Sequence, residues 1–326
     1  MPATSRTYWL TTPCRLRRQD DSIRVERDGH PPTFLPIEDV RDIIAAAEVD
    51  LNTSMMSLLN KHRIQIHILG YYGDYAGSFL PAETAVSGTV ALNQMRLASD
   101  DEHALPIARA LIDNAAFNIR WVIDRKLLTR SYGVLKESIA EATTREQLMA
   151  AEGNFRRSAW EVLDTRLPDW LQLDGRSRRP PRNAGNAVIS YINGILYARI
   201  LSALRLTPLH TGIAFLHATM QRHRHSLALD LAEVFKPLFA ERILIRLANR
   251  RQLKPQHFDI NTNQAMLSES GRKLIVQTVR DDLAETVKHR TLGRNVSYDE
   301  LIYLDALALT RTCLEGSTYT PFRVWW

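Results

Sequence analysis

Alternation of apolar and polar side chains marks the first part of the chain. In Ile23-Arg24-Val25-Glu26-Arg27 and again in Ile64-Gln65-Ile66-His67-Ile68, every second side chain is apolar, the repeat of a strand that buries one face. Pro31-Pro32 and Pro36 punctuate the stretch between them. Asn52 or Thr53 can cap a short helix over Ser54–Lys61, just before the second strand. Gly70, Gly73 and Gly77 then break up a loop that ends at Pro81. From about Thr84 the period becomes helical, with Ile107, Leu111, Asn118, Val122 and Ile123 on one stripe. Thr144-Arg145-Glu146-Gln147 is a capping box that opens a helix running through Trp160. Ser297-Tyr298-Asp299-Glu300 is a second, opening a helix to about Leu314. Further helical patterns cover 186–204, 226–236, 238–250 and 271–290. The pattern predicts an α+β protein: a small β domain over residues 1–83, then a larger all-α domain over 84–326.

Composition narrows this picture. The 326 residues leave room for two domains, and 45% hydrophobic with 24% charged residues is ordinary for a globular protein. Charges interrupt the apolar runs, which predicts no membrane span, and the N-terminus has no apolar core of a secretory signal. The two cysteines, Cys14 and Cys313, lie too far apart to form a motif; neither a disulfide nor a cysteine metal site is expected, and a cytoplasmic location fits. The net charge of +6 is unevenly divided. Residues 1–83 carry 9 Lys and Arg against 11 Asp and Glu, a net of −2; the remainder carries 33 against 25, a net of +8. A polyanion would therefore be bound by the second part.

The candidate chemistry starts in the segment Ser226–Pro237. Ser226 can cap a helix and Pro237 can end it. Asp230 and Glu233 are three residues apart, so both carboxylates leave one face, while Leu227, Leu231 and Val234 line the other. Two carboxylates so placed repel unless a cation lies between them, although a solvated polar face would show the same spacing. His217 ends the apolar stretch Gly212–Leu216, a half-buried setting that suits either a ligand or a hydrogen-bonded core histidine. Glu152 stands four residues before Arg156, which is also the spacing of a plain surface ion pair.

Taken in order, Glu152-Gly153-x-x-Arg156, Phe215-Leu216-His217 and Asp230-Leu-Ala-Glu233 resemble the metal-site signatures of the CRISPR-associated integrase family, the nuclease numbered first among those proteins. Pro36–Val40 and Gly73–Pro81 look like that family's β domain, Asn186-Ala187 with Ser190-Tyr191 like its central helix, and Pro321-Phe322 before the terminal tryptophans like its tail. The resemblance implies that Glu152, His217 and Glu233 are metal ligands with Asp230 beside them in the catalytic set, and that the ion is Mg²⁺ or Mn²⁺. It also implies a homodimer formed through the β domain, a small ferredoxin-like partner that joins it in a larger integration complex, and a DNA 3′-hydroxyl that inserts short fragments into a repeat array by transesterification. Two features depart from the family's pattern. The segment from His217 to Asp230 is long and basic, with Arg222, His223, Arg224 and His225, and Asn183-Ala184-Gly185 replaces the more familiar residues before Asn186. His210, His223 and His225 are further candidates for the histidine role, ranked below His217.

The residue types suit that chemistry. Carboxylates form a hard oxygen site for Mg²⁺ or Mn²⁺, and an imidazole among them favours Mn²⁺ somewhat. A cation so held can polarise a phosphate, activate an attacking hydroxyl and stabilise the leaving oxygen. An acidic site that acts on a polyanion needs basic surroundings. Arg176, Arg178, Arg179 and Arg182 crowd one window beside Pro180-Pro181, and Arg242, Arg246 and Arg250 recur every fourth residue. With Arg156 and Asn186, these are the candidate DNA contacts, though each arginine set could equally be a solvated face. Two other functions fit the same residues: a stand-alone metal nuclease for branched or repair DNA, and a non-catalytic DNA-binding scaffold whose carboxylates merely pair with arginines.

Overall fold

The structure, a computed structural model, describes residues 6–70, 72–82, 85–217, 225–261 and 264–325. The chain divides into two compact units, Met1–Ala85 and Val86–Trp326.

Among the described residues, the first unit is a β structure with one α-helix. In chain order it holds β1 (Arg6–Leu10), β2 (Cys14–Gln19), β3 (Ser22–Arg27), β4 (His30–Pro36), β5 (Val40–Ala45), β6 (Val49–Leu51), α1 (Thr53–Lys61), β7 (Gln65–Leu69) and β8 (Tyr75–Phe79). They form two four-stranded sheets, ordered β1-β5-β7-β8 and β4-β3-β2-β6. The alternation in β3 is realised, with Ile23 and Val25 in a core shared with Leu16, Ile43, Ile66 and Leu58 of α1. The prolines fall in β4, an edge strand paired on one side only, where missing N–H donors cost little. Asn52 caps α1 by accepting from the Met55 N–H at 3.0 Å. The alternation read at Ile64–Ile68 is not the one realised. β7 lies inside its sheet with Gln65 and His67 buried, His67 bonded to the Ser78 hydroxyl at 2.6 Å, and it is Ile68 that faces out. An interior strand can bury both faces, so one-sided alternation does not govern it. Of the aromatic loop, Phe79 packs on this unit's own core and the Tyr75 hydroxyl bonds Ser78; Tyr72 is exposed, and Tyr71 lies outside the described residues.

The second unit is mostly helical: α2 (Gly88–Ala98), α3 (Asp101–Val122), α4 (Thr129–Glu141), α5 (Arg145–Asp164), α6 (Ala184–Leu204), α7 (Ser226–Lys236), α8 (Arg242–Asn249), α9 (Glu269–Ala284) and α10 (Tyr298–Glu315). It is not all-α. Two small antiparallel ribbons, β9 (Phe258–Asn261) with β10 (Gln264–Leu267) and β11 (Thr286–Lys288) with β12 (Asn295–Ser297), interrupt the C-terminal helices. The second ribbon shortens the helix expected over 271–290. The Thr144 capping box forms in full. At Ser297 only half of one forms, because Glu300 turns to Arg294. Helix α6 is apolar on all sides and buried nearly throughout, as the central helix of a core must be. By length and composition alone it could cross a membrane, contrary to expectation, since Arg199 is the sole Lys, Arg, Asp or Glu within it; in the fold, 83% of its most apolar window is buried in protein. Ser226 is the first residue of α7 rather than its cap, a place taken by His225. Pro237 does not break the chain direction either: Pro237–Glu241 forms a π-helical turn that runs directly from α7 into α8.

Candidate metal and DNA site

Helix α5 supplies Glu152 and Arg156, one turn apart on the same face. Helix α7 supplies Asp230 and Glu233, both buried. Between these helices the Arg156 guanidinium acts as a bridge: Nε donates to Glu152 Oε1 and Nη2 to Glu233 Oε2. Its remaining nitrogen, Nη1, lies 3.5 Å from Glu241 Oε1. Lys236, three residues beyond Glu233, donates to the other oxygen of Glu233. Burial works against a charge on Glu233, but Lys236, Arg156 and His217 outweigh it and hold the carboxyl well below its ordinary range. Burial likewise opposes the charge on Arg156, and the surrounding glutamates reverse this, so its guanidinium stays protonated.

The π turn explains Glu241. Eight residues after Glu233, an uninterrupted α-helix would carry a side chain about 80° away, at 3.6 residues per turn. The wider i→i+5 turn takes up part of that offset and brings Glu241 back toward Arg156. Sequence reasoning missed this residue because Pro237 reads as a stop.

His217 is oriented by Asp230. The Asp230 carboxylate accepts from the backbone N–H groups of Phe215 at 2.7 Å, Leu216 at 3.0 Å and His217 at 3.0 Å, and from the His217 ring Nδ1 at 2.8 Å. A carboxylate can only accept, so Nδ1 carries a proton, and whenever the ring is neutral its Nε2 lone pair is the free one. Burial disfavours the imidazolium, yet the Asp230 hydrogen bond and charge raise the pKa of His217 overall. With both oxygens spent in this way, Asp230 positions His217 and does not itself face a substrate. His225 bonds the Thr211 hydroxyl through Nδ1, and the His210 ring accepts from the Gly212 N–H. Arg222, His223 and Arg224 lie outside the described residues.

Among the described residues, no three His, Cys, Asp or Glu side chains converge on one point as they stand. The donor set nonetheless fits a hard divalent cation. Glu152, Asp230, Glu233 and Glu241 bring four negative charges against the two positive charges of Arg156 and Lys236, and one ready imidazole nitrogen lies beside them. Glu241 Oε2 is moreover buried with no hydrogen-bond partner among the described residues.

The arginines divide by environment. A groove of about 810 Å³ is lined by Gly175, Arg176, Arg178, Arg179, Arg182 and Asn183, among others, at the N-terminus of α6. Arg178, Arg179 and Arg182 are exposed on it. Arg176 is turned inward, donating to Asn186 Oδ1 and to the Ser190 hydroxyl, both at 2.9 Å, and burial draws its pKa down to about 10. Asn186 is fully buried and donates to the carbonyls of Leu173 at 2.7 Å and Gly175 at 2.9 Å. It shapes the loop, which corrects the expectation that it touches DNA. The same correction applies to Arg156, buried among carboxylates, whereas Arg242 and Arg246 are half-exposed and pair with Asp282 of α9. Of that stripe only Arg250 is exposed.

The C-terminal tail braces α7, a role the sequence did not suggest. Asn118 of α3 donates to the carbonyls of Val234 and Phe322 and accepts from the Val324 N–H. Phe322 stacks on Phe235 at 5.6 Å.

Comparison with known proteins gives a consistent result. The family model described as CRISPR associated protein Cas1 matches residues 7–281. Among curated relatives, CRISPR-associated endonuclease Cas1 2 of Moorella thermoacetica is 37% identical, over 98% of this chain and 100% of the relative. CRISPR-associated endonuclease Cas1 of Clostridium perfringens is 32% identical, over 98% and 99%. Among solved structures, a CAS1 protein from Thermotoga maritima superposes with a TM-score of 0.87 at 32% identity, over 96% of this chain and 99% of that one. A casposase bound to integration product superposes at 0.86 with 19% identity, over 98% and 94%, a likeness of fold.

Proposed function

The chain belongs to the CRISPR-associated Cas1 family, and from that premise we propose that it is a divalent-metal-dependent DNA endonuclease and integrase that joins short fragments to a CRISPR repeat array. The observation that carries the proposal is the Arg156 bridge that brings Glu152 of α5 and Glu233 of α7 together, with an Asp230-oriented His217 near enough to act on the Glu233 charge and an arginine-lined groove nearby.

Glu152, His217 through Nε2, and Glu233 would hold Mg²⁺ or Mn²⁺. Such an ion, when bound, polarises the scissile phosphate and lowers the cost of charge on the attacking and leaving oxygens. The chain's own residues do the rest. Asp230 fixes the ring orientation of His217 and keeps the proton on Nδ1. Arg178, Arg179 and Arg182 draw the phosphate backbone toward an acidic centre that would otherwise repel it. The tail holds α7 in place through Asn118 and Phe322, so Glu233 meets Glu152 in a reproducible geometry. The nucleophile in this reading is a DNA 3′-hydroxyl; water at the same place would give cleavage. Residues 1–83 would form the homodimer interface, residues 84–326 would carry catalysis and DNA binding, and a small ferredoxin-like partner would bridge two dimers.

Glu152→Ala, His217→Ala and Glu233→Ala should each abolish metal-dependent strand joining, with circular dichroism and metal-free DNA binding retained. Joining by the Glu152→Ala protein in the presence of Mn²⁺ would refute the assignment. One observation favours a second reading, a non-catalytic DNA-binding scaffold: the carboxylates pair with Arg156. That reading predicts no metal-dependent joining by the unaltered protein.

A further inference from the structure

Arg156 occupies the position between Glu152 and Glu233 that a cation shared by those carboxylates would take. A guanidinium cannot lose its proton there, so a divalent ion can enter only if the guanidinium moves. Glu241 offers it a place to go. Glu241 lies on the third side of the guanidinium, its Oε1 at 3.5 Å from Nη1, just beyond a good hydrogen bond. Its side chain is buried, and Oε2 has no partner among the described residues. A buried carboxylate left half-satisfied is costly and calls for an explanation. The π turn that aims Glu241 at Arg156 is itself an irregularity of the kind found at functional sites.

We propose that Arg156 is a displaceable counter-ion and Glu241 its second seat: the guanidinium neutralises the acidic site before metal binds, then shifts onto Glu241 when a divalent cation takes Glu152 and Glu233. Glu241 is thus a positioning residue that acts on metal affinity through Arg156. It is not a ligand. This inference rests on the metal-binding reading above and adds the element that lets a buried arginine and a divalent ion share one pair of carboxylates.

A double-mutant cycle on Mn²⁺ affinity, measured by calorimetry on the full chain without DNA, tests it. Glu241→Gln should weaken Mn²⁺ binding by roughly tenfold, the size of one charge pair's coupling. Arg156→Gln should tighten it, because the competing cation is gone. In the Arg156→Gln background, Glu241→Gln should have little further effect. Equal loss from Glu241→Gln with and without Arg156 would make Glu241 a direct ligand and overturn the proposal; so would unchanged affinity in the single variant, which would leave Glu241 a purely structural residue. Failure of the unaltered protein to bind Mn²⁺ would remove the metal reading itself, and this proposal with it. Should Arg156→Gln not fold, a crystal structure of the unaltered protein with Mn²⁺ decides: Arg156 Nη1 drawn closer to Glu241 supports the shift, and a guanidinium still bridging Glu152 to Glu233 beside bound metal refutes it.

Discussion

Asp230 shows how one side chain can matter to chemistry without touching substrate. It satisfies three consecutive backbone N–H groups and one imidazole in a fully buried place. Asp230→Ala would leave these donors unpaired, at a cost of about 1–3 kcal/mol for each that water cannot reach. The expected outcome is a large loss of stability in urea unfolding, with strand joining falling in parallel; Asp230→Asn should recover part of the stability but not the tautomer of His217. Asp305 gives a separate pH effect. Burial pushes its pKa to about 7, only partly offset by hydrogen bonds from the Tyr319 hydroxyl and the Phe322 N–H. The folded value lies above the unfolded one, so the folded state binds this proton more tightly and the contribution of Asp305 to stability falls as pH rises from about 4 to about 7. Asp305→Asn should flatten that slope, and unfolding midpoints across this range check it. Spacing put Asp230 and Glu233 on one helix face and Glu152 one turn before Arg156, and the structure keeps both relations; the ligand roles of Glu152, His217 and Glu233 came from the family resemblance and remain a proposal. Glu241 was not legible in the sequence, because its approach to Arg156 depends on a helical turn of unusual width, and Asn186 was misread because an inward-turned side chain looks the same in sequence as an outward one.

At the scale of elements, the N-terminus of α6 controls the groove. A Cβ on Gly185 would meet the Leu171 carbonyl oxygen at 2.1 Å, so only glycine lets the helix approach the loop that carries the arginines. Gly185→Ala should lower the thermal midpoint by several degrees and disturb the groove; an unchanged midpoint would show that the loop yields freely. Replacing Arg178, Arg179 and Arg182 together should weaken DNA binding across sequences. Every arginine–phosphate pair removed in this way should reduce the log–log salt slope by about 0.9. A constant slope in titrations would return these arginines to plain solvent. Helix periodicity was well marked because it is local; single cap and stop signals were less so, since His225 rather than Ser226 caps α7 and Pro237 continues it. The two β-ribbons and the tail were hidden because their strands are three or four residues long and their anchors, Asn118 and Asp305, lie far away in sequence.

For the whole molecule, the division into an acidic β unit and a basic helical unit was already visible as a change of period and of net charge near residue 83. The β unit's edge strands and the exposed Tyr72 suit protein contact better than phosphate contact, so the full chain should sediment as a dimer and residues 84–326 as a monomer that still binds DNA. A truncated form that dimerises equally well would move the interface to the helical unit. Two-fold pairing would supply one active site for each end of an inserted fragment. If this site joins DNA strands with a metal ion, one incubation shows it most directly: purified full-length protein with an end-labelled short duplex bearing 3′-hydroxyls and a repeat-bearing plasmid, in Mn²⁺ or in EDTA. Label covalently joined to the plasmid in Mn²⁺, absent in EDTA and absent when the fragment lacks its 3′-hydroxyl, is the predicted result. Plasmid that stays unlabelled in Mn²⁺, or label transferred equally in EDTA, would contradict it.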